Sequence, residues 1–78
     1  MSVPWTRIDG ARMRMTRVRA GMSLASMARL LQVDETTIWR WEKGKTLPKP
    51  HNLRQFSILV GREMDDFILE WREEYKDE

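Results

Sequence analysis

Four side chains at helical spacing, Thr36, Trp39, Arg40 and Lys43, with Glu35 just ahead of them, carry most of the chemistry open to this chain. The guanidinium of Arg40 offers two parallel N–H donors that match the O6 and N7 acceptors of a guanine edge. One such bidentate pair discriminates between bases by about 1–3 kcal/mol. Thr36 supplies a methyl group for a thymine or a hydroxyl for a base or phosphate. Glu35 has two open roles: it accepts from a cytosine amino group, or it stabilises the positive end of the helix that it begins. Trp39 likewise packs on a thymine methyl or a sugar edge, or is covered by a neighbouring helix or a partner chain. Glu35, Thr36, Trp39 and Arg40 are therefore the expected base contacts, and the pattern suits a groove lined with phosphates and base edges.

Two short helices must hold that face. Leu24, Met27, Ala28 and Leu31 fall at i, i+3, i+4 and i+7 and predict one helix. Gln32, Val33 and Asp34 break the phase, and Asp34 is a suitable N-cap for a second helix in which Ile38 and Trp41 face inward. Upstream, a helix from Asp9 or Gly10 to Ala20 sets Met13, Thr16, Arg17 and Ala20 on one face, stops at Gly21, and passes to Ser23 as the next cap. Downstream, Gly44 ends the second helix of the pair, and Pro48 and Pro50 exclude regular structure before about His51. A fourth helix then runs to Val60 with Leu53, Phe56, Ser57 and Val60 inward. A fifth begins near Met64 on the stripe Met64, Phe67, Ile68, Trp71 and Tyr75.

The expected fold is thus all-α, five helices in a compact unit. Residues 1–8 read as a flexible arm, from which Trp5 folds onto the core in preference to reaching a minor groove with Arg7. Residues 9–78 read as a single domain with an extended C-terminal helix.

Composition narrows the function classes. Seventy-eight residues support one small core and no enclosed pocket. Cysteine is absent and His51 is the single histidine, so neither a disulfide framework nor a metal site is expected, and no cofactor. No nucleophile stands with a base, so an enzyme is not expected. The apolar runs are too short for a membrane span, the N-terminus lacks a signal-peptide core, and a cytoplasmic, nucleoid-associated protein is expected. Residues 1–50 hold ten Lys or Arg against four Asp or Glu, whereas residues 51–78 hold four against eight. That division predicts a polyanion-binding end and an acidic tail that avoids it.

The stretches RAGMSLASMARLLQVDETTIWRWEKGKTLP and FSILVGREMDDF, within a segment from about Gly10 to Phe67, resemble the lambda-repressor and Cro family of helix-turn-helix domains, also called the xenobiotic-response-element type. The resemblance implies a lambda-repressor-like domain with its helix-turn-helix at about 24–43 and double-stranded DNA as partner. It implies a recognition helix in the major groove, with Ser23, Lys43, Lys45, Thr46 and Lys49 on phosphates. It also implies an ion pair between Arg17 and Glu42. Two positions depart from the family: Gln32 stands where the corner is often Gly, and Leu24 where the helix often begins with a phosphate-contacting Gln.

One such domain reads few base pairs, so a homodimer on half-sites about 34 Å apart is expected. Phe67, Ile68, Trp71 and Tyr75 are its candidate interface, unless that stripe completes the monomer core. The functional expectation is a small regulator, a repressor acting by operator occupancy. The alternative is an antitoxin-like interaction module that binds a protein partner through the acidic tail.

Overall fold

Asp9 decides where helical structure begins. In the computed structural model, which describes residues 2–76, its carboxylate accepts from the backbone N–H of Arg12 at 3.0 Å and caps α1, Gly10–Arg19. Gly21, at φ 74°, turns the chain out of that helix. Ser23 caps α2, Leu24–Leu31: its hydroxyl accepts from the N–H of Ser26 while Ser26 Oγ accepts from the N–H of Ser23. This reciprocal pair satisfies two of the donors that a helix start leaves open. Met27, Ala28 and Leu31 of the predicted stripe are buried, and Leu24 is half-buried.

At the corner Gln32 adopts the left-handed conformation, φ 58° and ψ 45°, doing with a side chain what glycine does freely. The third helix, α3, spans Glu35–Glu42 and buries Ile38, Trp41 and Glu42. Asp34 stands at its N-cap position without a side-chain hydrogen bond to the helix. The fourth, α4, spans Pro50–Val60 with Leu53, Phe56 and Ser57 inward. It begins one residue before the predicted limit because proline is tolerated in a first helical turn, where no N–H bond is lost.

Two expectations are corrected. Residues 1–8 do not stay apart as an arm: Trp5–Ile8 is a strand, β1. The fifth helix does not form, so the fold is not five-helix and not purely α. Met64–Asp66 makes one 3₁₀ turn, Ile68–Trp71 is a strand, β2, and Glu73–Tyr75 a further 3₁₀ turn. The two strands pair antiparallel, Trp5 opposite Trp71 and Ile8 opposite Ile68, with irregular register between. The spacing suits a helix, but four residues paired with a partner form a strand as well, and spacing alone does not exclude it. The choice falls to backbone pairing, which β1 provides from the other end of the chain. Backbone bonds from Asp9 N–H to Phe67 C=O and from Arg72 N–H to Pro4 C=O, at 2.8 and 2.7 Å, clasp the ribbon at both ends.

The stripe is consequently divided. Phe67 is fully buried, edge-on to Phe56 with ring centroids 5.5 Å apart, and therefore belongs to the core and not to a dimer interface. Ile68 and Trp71 are half-buried, Trp71 standing edge-on to Trp5 at 5.7 Å, while Tyr75 is exposed. Asp77 and Glu78, the end of the acidic tail, lie outside the described residues. Among the described residues no helix is long and apolar enough to cross a membrane.

Candidate nucleic-acid interface

The outward face of α3 exists because its inward face is fixed twice. Ile38 and Trp41 enter the apolar core beside Met13, Met27 and Leu53. Glu42 is also buried and receives the Arg17 guanidinium through two hydrogen bonds, Nε to Oε2 at 2.7 Å and Nη2 to Oε1 at 3.1 Å. The third arm of Arg17, Nη1, donates to the Met22 carbonyl at 2.8 Å, so one buried cation binds α1, the α1–α2 junction and α3. Gly10 allows the close approach this needs, since a Cβ there would stand 2.5 Å from the carbonyl oxygens of both Trp41 and Glu42. With roll and tilt set in this way, Glu35, Thr36, Trp39 and Arg40 remain exposed.

The structure gathers these residues with the loop that follows. Arg40 lines a groove of about 610 Å³ together with Thr46 and Lys49, and Gln32, Thr37, His51 and Asn52 also border it. The ammonium of Lys45 stands 5.8 Å from the Trp39 ring centroid, close enough for a cation–π attraction of about 0.5–1 kcal/mol at an exposed site. Glu35, Thr36 and Trp39 line a smaller notch with Leu24. Ser23, next to Leu24, uses its hydroxyl to cap α2. Lys43 is the C-cap residue of α3 and is exposed.

The loop is itself anchored. Trp5 is buried and its indole Nε1 donates to the Pro48 carbonyl at 3.0 Å, so the ribbon grips the segment that carries Lys45, Thr46 and Lys49. On the same side Thr6 and Arg7 of β1 border a depression shared with Gly44, Thr46 and Leu47. Trp5 is buried as the sequence suggested, but reading residues 1–8 as an arm missed the nearness of Thr6 and Arg7 to this loop. The indole N–H of Trp5, which must find a partner when buried, was the signal that the segment is tied down. Leu24, which stands where the family often has a phosphate-contacting Gln, lines the notch with Glu35, Thr36 and Trp39.

A tight corner of two helices, with a cationic and partly aromatic outer face on the second, defines a DNA-binding helix-turn-helix module. The helix-turn-helix domain family matches residues 10–66, and the chain belongs to that family. Comparison with curated proteins and with solved structures returns no match. Family membership supports DNA binding by a regulator, and the matched span contains every residue of α1 to α4.

Proposed function

We propose that the chain is a sequence-specific regulator of the lambda-repressor and Cro type, a repressor that occupies an operator with α3 in the major groove. The observation that carries this is the shared groove of Arg40, Thr46 and Lys49, in which a guanidinium suited to a base edge stands beside groups suited to phosphate. Thr36 and Trp39 extend the reading face, and Lys43 and Lys45 extend the phosphate track. The backbone amides at the start of α2, beside Ser23, add an anion site that needs no side chain.

The regulator works as a homodimer on paired half-sites. With Phe67 in the core, the part of that stripe left for a second copy is the exposed Tyr75, with the half-buried Ile68 and Trp71 before it in the chain. Selection of the full chain on random duplexes tests the proposal. Two related half-sites about one helical turn apart are expected. Enrichment of no sequence over the starting pool would refute it, as would binding that does not weaken with salt.

A further inference from the structure

The notch between α2 and α3 joins two features that act on a single base. Leu24 of α2 and Glu35, Thr36 and Trp39 of α3 line it. The notch is open and about 250 Å³ in volume, room for the edge of a base. Trp39 is only 40% exposed and has Lys45 beside its ring, so the indole has a supported orientation. Glu35 is exposed and takes part in none of the ion pairs among the described residues, which leaves its two oxygens available.

A carboxylate on a base edge requires a donor. In the major groove cytosine presents its N4 amino group and adenine its N6 amino group, whereas thymine presents the O4 acceptor, which a carboxylate repels. The apolar Leu24 and Trp39 beside that carboxylate favour a methyl group on the neighbouring ring carbon, which adenine lacks. The base that carries an amino donor and a methyl group on adjacent ring carbons, C4 and C5, is 5-methylcytosine. We propose that this notch recognises 5-methylcytosine in duplex DNA, Glu35 accepting from N4 while Leu24, Thr36 and Trp39 enclose the C5 methyl. The inference rests on the DNA-binding reading and goes further by naming a modified base and the residues that select it.

The test runs parallel selections on duplex pools prepared with cytosine or with 5-methylcytosine, using the full chain. The selected duplex is then synthesised with cytosine, 5-methylcytosine or thymine at each pyrimidine position. At one position in each half-site, 5-methylcytosine is expected to bind about fourfold more tightly than cytosine, the gain from burying one methyl group. Thymine is expected to bind more weakly than either. Leu24→Gln should abolish the methyl gain while cytosine remains preferred, and Glu35→Gln should erase the discrimination against thymine while the methyl gain persists. Circular dichroism establishes that each variant is folded. Equal binding of cytosine and 5-methylcytosine at every position would overturn the inference while the DNA-binding reading stood, as would preference for thymine at that position. Binding of no duplex from either pool, even in dilute salt, would overturn both.

Discussion

Arg17 and Glu42 meet face to face in the interior, two hydrogen bonds at 2.7 and 3.1 Å joining side chains that are 8% and 2% exposed. Each is 25 positions from the other in sequence. A buried pair of this kind adds little net stability over an apolar pair, because taking both charges out of water offsets most of their attraction. Removing one partner is another matter. Arg17→Met or Glu42→Leu alone should lower unfolding free energy by about 3–5 kcal/mol, since the remaining charge is stranded. The double variant should recover most of that loss. Urea unfolding of the four chains measures it, and additive losses would show that the pair is not coupled.

Gly10 should tolerate no side chain. The methyl of Gly10→Ala would meet two backbone carbonyl oxygens at 2.5 Å, and backbone cannot rotate aside as a side chain does. Separating α1 from α3 should cost about 1–3 kcal/mol, as overpacking does in cores. Thermal unfolding should show a drop on the order of 4–8 °C for each kcal/mol lost. An unchanged midpoint would mean that the two helices do not approach so closely in solution.

Gln32 should be improvable. Its φ of 58° is disfavoured for any residue with a Cβ, and Gln32→Gly removes that strain while adding freedom to the unfolded chain. The net effect expected is a stabilisation of about 0.5–1 kcal/mol. A loss of stability would indicate that the corner is not left-handed.

Trp5 should matter to DNA binding without touching DNA. Trp5→Phe keeps an aromatic ring in the core but deletes the bond to Pro48, leaving that carbonyl unpaired at a cost of about 1–3 kcal/mol. Because Pro48 lies in the loop with Lys45, Thr46 and Lys49, duplex affinity should fall for all sequences while base preference persists. Deleting residues 1–8 should destabilise the whole domain, which a free arm would not do. Calorimetric unfolding and fluorescence anisotropy with a labelled duplex read the two effects separately.

Arg40 and Lys45 should fail in different ways. Arg40→Ala should flatten preference at one base pair, a loss of about 1–3 kcal/mol against the correct base only. Lys45→Ala should weaken all duplexes alike and reduce the log–log salt slope by about 0.9. Competition binding at several salt concentrations distinguishes them, and sequence preference untouched by Arg40→Ala would reassign the readout.

Helical periodicity made α1 to α4 legible in the sequence, because each buries one stripe, and Asp9, Gly21 and Ser23 mark the ends of α1 and the start of α2 through neighbours within a few residues. The exposed face of α3 was legible for the same reason, since placing Ile38 and Trp41 inward leaves Thr36, Trp39 and Arg40 outward. The ribbon was not legible. Ile68–Trp71 has a spacing that suits a helix, and its partner residues lie sixty or more positions away, so no local rule arbitrates between pairing and coiling. Tertiary structure alone decided that Phe67 seals the core, that Trp5 holds the Pro48 loop, and that Leu24 and Glu35, on different helices, border one notch. Those outcomes depend on which surfaces meet, and packing across long sequence separations is settled only when the whole chain has closed.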